Sequence, residues 1–396
     1  MEDFKADQVM LVGDCLTASS FLSYCGPFNF VLRKRMLFEH WKLDLVERGL
    51  PNKAAFKLET FLTDDVEISR WASQGLPTDE LSVQNGILTK MASRWPLCID
   101  PQMQAIEWIR NKEKQAKKQN FMELSFNNEK YIQKLENAIQ FGHSVLFVNI
   151  DTEIDPMIDP ILEKNIVMKA GQAMIKFNDT DYEYSDDFQL FMTTKIANPN
   201  YTPEVFGKTM IINFSVTING LREQLLGHVV AFEKPETEAM RLELIQETSK
   251  NKATLKELED QLLTELSKES DLPLVDNDPL IAVLDVAKTK SVEISLALDR
   301  AAVTNEDIER QRESYKSCAK RGAILFFAMS GLSSISSMYE YSLSSFLVVF
   351  NNALRTAKKD DVQTQRLKFI RDKLTALVYE FVCMGIFEKH KLMFSF

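Results

Sequence analysis

Apolar residues in the first fifty positions, Val9, Leu11, Val12, Leu16, Phe21 and Leu22, fall at helical spacing. They predict a helix from about residue 8, a break at Gly26-Pro27, and a second helix from about Phe30 to Glu47 with Trp41 packed inward. From about 61 to 218 short apolar runs alternate with helix-like stretches, the pattern of a parallel α/β sheet. The expected strands are Trp95–Ile99, Ser144–Asn149, Phe188–Thr193 and Met210–Phe214. The expected helices are Gln102–Lys114, Asn128–Phe141 and Pro156–Asn165, the first with Asp100 as N-cap and Pro101 at its first position. The segment Gly171–Tyr184 alternates in polarity and reads as a hairpin inserted in the sheet.

From about 219 the pattern is wholly helical. Two long helices, near 236–269 and 279–316, flank the link Asp271-Leu272-Pro273. In the second, Leu284, Ala287, Ser291, Ile294, Leu298, Ala301, Asn305, Ile308, Arg312 and Tyr315 advance in steps of three and four, a coiled-coil seam. Leu255, Leu258, Leu262 and Leu266 answer it in the first, and a short link makes the pair antiparallel. An ordinary helical hairpin within a globular bundle accounts for the same pattern. Ser291, Asn305 and Arg312 are polar seam residues that lower the pair's stability. Beyond Gly322 the chain is apolar and aromatic, and it stops at Leu392-Met393-Phe394-Ser395-Phe396, which reads as interrupted rather than finished.

Composition narrows the function classes. Hydrophobic residues are 45% and charged residues 26% of 396, the balance of a globular protein with two or three packed units. A net charge of -10 argues against a broad nucleic-acid surface. The five cysteines (Cys15, Cys25, Cys98, Cys318, Cys383) form no CxxC pair, so neither a zinc site nor a disulfide framework is indicated and a reducing compartment is expected. The opening Met1-Glu2-Asp3-Phe4-Lys5-Ala6-Asp7 lacks the basic-then-apolar order expected of a signal peptide, and the apolar stretch 324–350 is broken by serines and Glu340, so no membrane span is expected. His40, His143, His228 and His390 form no ligand spacing, and Asp151-Thr152-Glu153-Ile154-Asp155 matches a calcium loop poorly because Pro156 stands at its glycine. The acidic run Asp179, Asp181, Glu183, Asp186, Asp187 reads as a solvated loop.

The strand–turn–helix at residues 95–114 invites comparison with a nucleotide-binding loop. Such a loop needs glycines for backbone approach and a lysine for phosphate charge. Here the turn is Leu97-Cys98-Ile99-Asp100-Pro101-Gln102-Met103-Gln104-Ala105, without glycine, and the nearest following lysine is Lys112. Asp100 would repel an anion at the helix start, and Pro101 removes an N–H donor. Asp100, Pro101 and Gln102 thus belong to a degenerate nucleotide position. Asn149 stands where a magnesium-holding acid is expected, and Asp151 or Glu153 substitutes only if that strand runs longer. Thr194 and Asn198 have the position of a polar sensor, or simply close the turn after their strand. No catalytic residue and no metal site are expected.

Several phrases resemble dynein heavy chains, in the family's order from near residue 8 to the last: Ala18-Ser19-Ser20-Phe21-Leu22-Ser23-Tyr24-Cys25-Gly26-Pro27-Phe28, Trp71-Ala72-Ser73-Gln74-Gly75-Leu76-Pro77, Arg94-Trp95-Pro96-Leu97-Cys98-Ile99-Asp100-Pro101-Gln102, and Met338-Tyr339-Glu340-Tyr341-Ser342-Leu343. Asn198-Pro199-Asn200-Tyr201 and Gly220-Leu221-Arg222-Glu223-Gln224-Leu225-Leu226 are more like axonemal than cytoplasmic members. The resemblance implies an AAA+ (P-loop NTPase-like) α/β subdomain followed by an all-α lid. Residues 1–60 would be the stalk base and entry helices, 61–218 the large subdomain of the fifth AAA+ module, 219–318 its lid with a long coiled-coil buttress hairpin, and 319–396 the start of the sixth. It implies a relay part of a microtubule motor that does not itself hydrolyse ATP. No cofactor is expected in this fragment, and ATP and Mg act elsewhere in the motor. The implied partners are the other ring modules, the stalk, microtubules through the complete motor, and dynein intermediate and light chains, with no nucleic acid and no membrane. The implied location is the cytoplasmic cytoskeleton and the axoneme of the cilium. A divergent P-loop ATPase that still binds ATP is the rival reading. Family members often carry an acid in the strand that here reads Val148-Asn149-Ile150, so the resemblance does not extend to a metal site.

Overall fold

The computed structural model describes residues 2–53, 56–116, 120–128, 130–169, 171–178, 180–267, 278–336, 338–339 and 341–395, with the side chains of 2–7, 262, 265–267 and 278–286 outside that description. The chain divides into two compact units, residues 1–64 with 74–217 and residues 65–73 with 218–396.

The first unit opens with α1 (Glu2–Tyr24). After the Gly26-Pro27 break, α2 (Phe30–Lys34) starts on Asn29, whose side chain accepts from the Leu32 N–H. It continues without interruption through a π-helical stretch, Arg35–Trp41, into α3 (Lys42–Glu47). Trp41, expected inside, is half-buried. A short α4 (Leu58–Leu62) follows. The next helix, α5 (Asp65–Ser73), belongs to the second unit, although it interrupts the first in sequence. The first unit resumes with α6 (Glu80–Met91), capped by Asp79 and buried at every position from Leu81 to Thr89.

The main sheet is parallel throughout, in the order β2-β3-β7-β1-β8. Its strands are β1 (Trp95–Ile99), β2 (Phe121–Leu124), β3 (Ser144–Phe147), β7 (Gln189–Thr194) and β8 (Thr209–Asn213). The fold class expected of an α/β module is thus present as a parallel sheet with helical crossovers. Near-continuous apolar strands are what burial of both sheet faces requires. Leu97, Val145, Leu146, Phe147 and Met192 are fully buried. The crossovers are α7 (Gln104–Gln115), α8 (Tyr131–Phe141), α9 (Asp159–Leu162) and α10 (Pro203–Lys208). Helix α8 stops at Gly142, whose φ of +67 closes the αL cap and whose Cβ position faces the Ser185 Oγ at 2.6 Å.

Two expectations need correction here. The helix expected over Pro156–Asn165 is only a 3₁₀ turn, Pro156–Ile158, followed by α9, because Pro160 and Asn165 punctuate it. The hairpin expected to enter the main sheet forms its own antiparallel sheet instead. That sheet runs β4 (Ile166–Lys169), β5 (Gln172–Phe177), β6 (Thr180–Glu183), with Ile166↔Ile175 and Ile175↔Tyr182 in register. Ile175 and Phe177 turn one face of β5 into the core that Phe147 and Leu190 share. Asp179 of the acidic run lies outside the described residues.

The second unit contains α11 (Ile218–Glu233), α12 (Pro235–Ser267), α13 (Asp278–Glu313), α14 (Lys316–Ser330), α15 (Leu343–Thr356), α16 (Gln363–Gly385) and α17 (Glu388–Ser395). Helix α14 packs on α11 and α16, and α5 packs along α12. Leu221, Leu225, Phe346, Ile370 and Leu374 are fully buried in this core. Residues beyond 318 therefore share one compact unit with the helices that begin at 218. Among the described residues no helix is long and apolar enough to cross a membrane.

The two long helices pack on each other. Of the seam positions, Ala287 and Ile308 are buried at 4% each, Ile294, Leu298 and Ala301 are half-buried, and Asn305 is exposed. Half-burial of these positions leaves the seam only partly withdrawn from solvent. Asn305, expected in the seam, carries an amide better solvated by water than set against carbon. The Asp271-Leu272-Pro273 link and the side chains of Leu262, Leu266 and Leu284 lie outside the described residues.

Candidate functional site

In an open parallel sheet, ligands gather where successive connections leave a strand end in opposite directions. Strand β1 meets that condition, since it lies between β7 and β8 while the chain leaves it for β2 at the far edge. Residues 100–106 lie at that strand end.

Asp100 is 0% exposed and follows β1 directly, its N–H donating to the Thr194 carbonyl at 2.8 Å. Its carboxylate turns back onto the start of α7. One oxygen accepts from the Gln104 N–H at 2.8 Å and the other from the Ile106 N–H at 3.0 Å. Burial pushes the carboxyl up from 3.8 to about 6, while the amides of Ile106, Gln104 and Ala105 hold it from rising further. The carboxylate thus takes the orphan donors of the helix start, those that a bound anion uses in a phosphate site.

The capping expected of Asp100 is present, with a different geometry. Helix α7 begins at Gln104, not Gln102, and Pro101 lies in the preceding turn. Met103 holds the cap position at φ 63, a left-handed conformation uncommon for a non-glycine residue. The turn thereby sends the Asp100 carboxylate four to six residues forward. The Gln102 side-chain oxygen is shielded from solvent and has no hydrogen-bond partner. Lys112 lies over the Phe191 ring at 4.9 Å, with the Glu113 carboxylate at 3.8 Å.

The other expected residues border the same sheet edge. Strand β3 ends at Phe147, shorter than expected, because Asn149 turns at φ 57 and breaks the extended run. The Ile150 N–H rejoins the sheet at the Thr193 carbonyl, 2.9 Å away. Asn149, Asp151 and Glu153 are exposed. The buried Thr194 hydroxyl accepts from the Ile196 N–H at 3.2 Å and closes the turn. Tyr201, which the pattern did not single out, stands beside Thr194. Burial raises its phenol above the usual range, the Thr194 hydroxyl offsets part of the rise, and the Asp151 charge adds to it. Among the described residues no group of three or more His, Cys, Asp or Glu is placed to hold a metal.

A second polar constellation was invisible in the motif pattern. Arg33 is 0% exposed. It donates to the carbonyls of Cys25 at 2.9 Å, Phe28 at 3.0 Å and Gly26 at 2.9 Å, and to the Asn85 side chain at 2.7 Å. Asn85 donates in turn to the Asn213 carbonyl at 3.0 Å, and the Asn213 N–H donates to Gly26 at 2.9 Å. This closed ring ties the α1–α2 elbow to α6 and to the end of β8. Desolvation lowers the guanidinium to about 10, leaving it charged at neutral pH.

Comparison with known proteins agrees with this architecture. A family model described as the ATP-binding dynein motor region matches residues 69–294. Dynein axonemal heavy chain 10 of Homo sapiens is 48% identical over 396 residues, covering 100% of this chain and 9% of that one. The Dynein-1-alpha heavy chain of the flagellar inner arm I1 complex of Chlamydomonas reinhardtii is 51% identical over 394 residues, covering 100% and 8%. Dynein axonemal heavy chain 2 of Mus musculus is 36% identical over 396 residues, covering 100% and 9%. The chain therefore spans less than a tenth of the length of these relatives.

Proposed function

This chain belongs to the dynein heavy chain family, and on that premise we propose that it is a non-catalytic structural and relay part of an axonemal motor. Residues 61–218 correspond in this reading to the large subdomain of a fifth AAA+ module, with the long helices of 219–318 serving as a buttress that passes ring motion to the stalk. The other ring modules, the stalk and, through the complete motor, microtubules are its partners, with intermediate and light chains as further candidates. ATP and Mg would act in other modules, and the cilium or flagellum is the expected location.

One observation supports the non-catalytic part above the rest. The Asp100 carboxylate already occupies the amide donors at the switch point, and a phosphate placed there would meet a negative charge in a desolvated site. Lys112, the nearest lysine after the turn, is engaged over Phe191, and Asn149, in the turn after β3, offers no acid. These residues do not fit a bound triphosphate with its metal.

A calorimetric titration of the 396-residue chain with ATP and magnesium tests this part. No saturable heat is expected at micromolar nucleotide. Saturable micromolar binding that Asp151→Ala abolishes would instead favour the divergent-ATPase reading. The relay part is tested in a complete motor carrying Leu298→Asp. Basal ATP turnover should stay within about twofold of the parent, while gliding velocity falls severalfold, because a charge set in the half-buried seam costs on the order of 1–3 kcal/mol. Equal loss of both would count against the relay.

A further inference from the structure

We propose that four charged residues at the base of α12 and α13 encode the register of the two helices, by repelling both one-turn alternatives as well as by attracting in the observed one. Glu238 and Arg241 lie on α12, and Glu309 and Arg312 on α13. Arg312 Nε stands 3.5 Å from Glu238, and Arg241 Nε 3.6 Å from Glu309. Within each helix, Arg241 also meets Glu238 at 3.2 Å, and Arg312 pairs with Glu309. Thr237 and Gln311 are joined beside them at 3.4 Å. As numbers rise on one helix they fall on the other, so the bases pair antiparallel.

Burial makes this ring more than a surface decoration. Arg312 is 1% and Glu238 8% exposed. Arg312 Nε and one Glu238 oxygen nevertheless form no hydrogen bond, although they face each other. A buried ion pair of imperfect geometry contributes little net stability, and the best-attested use of such pairs is to specify register.

The spacing supplies the specificity. Each helix carries its opposite charges three residues apart, about one turn. Sliding α13 one turn in one direction sets Arg312 against Arg241. Sliding it the other way sets Glu309 against Glu238. Both slips bring like charges together in a poorly solvated place, whereas the observed register pairs all four. The inference stands whether or not the helices relay force, since it concerns only how they pair.

Spin labels at exposed Lys250 and Lys288, offset along the helix axes, read sliding as distance in the full 396-residue chain. The parent should show one narrow distribution. Arg312→Glu sets a carboxylate beside Glu238 but would place it opposite Arg241 after a slip, so the distribution should move, or split, by about 5 Å, one turn of rise. Exchanging all four charges (Glu238→Arg, Arg241→Glu, Glu309→Arg, Arg312→Glu) should restore the parental distance. Should Arg312→Glu fail to fold, Arg241→Gln with Glu309→Gln removes the repulsive partners while sparing the buried pair, and should broaden the distribution. A folded Arg312→Glu chain with an unshifted narrow distance overturns the proposal. So does a fourfold exchange that stays shifted, or an unbroadened neutral pair.

Discussion

At Asp100, two opposing effects act on one carboxyl: desolvation favours the proton and three backbone amides favour the charge, with desolvation the larger. The folded-state value of about 6 lies above the ordinary 3.8, so between those values the folded chain holds more proton than the unfolded one. Stability from this group is therefore highest below the lower value and declines as pH rises through the window, by roughly 3 kcal/mol across it. Urea midpoints measured from pH 4 to 7 should show that decline, and Asp100→Asn should flatten it. Arg33 yields a prediction of the opposite kind. Truncation by Arg33→Ala strips donors from two buried carbonyls, a half-buried one and Asn85, a loss of about 3 kcal/mol or more. The exposed neighbour Arg35→Ala should stay within about 0.5 kcal/mol in the same denaturation assay. Aspartate and proline in place of glycine and lysine were legible from residue identity alone. The Arg33 ring was not, because its partners are mostly backbone carbonyls, which carry no sequence signature.

Among the elements, the strands of high apolar density were evident, and β2 was not. Its four residues, Phe121-Met122-Glu123-Leu124, include a glutamate and show too short a run for periodicity to register. Tertiary context supplies the missing stabilisation through the parallel ladder to β3, with Arg110 on α7 meeting Glu123 beside it at 2.7 and 2.6 Å. The break at Gly26-Pro27 was legible as a turn, yet its close approach to β8 was not. A Cβ on Gly26 would stand 2.2 Å from the Ile211 carbonyl oxygen, which is backbone and cannot rotate away. Gly26→Ala should therefore displace the elbow from β8. A loss of at least about 2 kcal/mol by thermal or urea unfolding is expected, above the few tenths typical of a surface change. The start of α7 teaches the same lesson on a smaller scale. The capping residue was identifiable, but the left-handed Met103 that lets it reach forward was not.

For the whole molecule, a net charge of -10 predicts that the chain passes through a phosphate-bearing cation exchanger at about 150 mM salt without retention. Family membership and the parallel α/β class were readable in the chain itself, since the phrases of the dynein heavy chain persist from end to end and the periodicity changes from strand-like to helical near residue 219. The grouping of elements was not readable, since α5 joins the helices after 218 and the alternating 171–184 segment builds a separate sheet. Local sequence determined which segments become helix or strand and which residue types stand at the β1 turn, because those depend on spacing and on side-chain chemistry nearby. Only the tertiary structure decided strand order, the path of the Asp100 carboxylate and the charge ring of α12 and α13. Each of those is a contact between residues far apart in the chain or an unusual backbone angle, and neither leaves a mark on neighbouring letters.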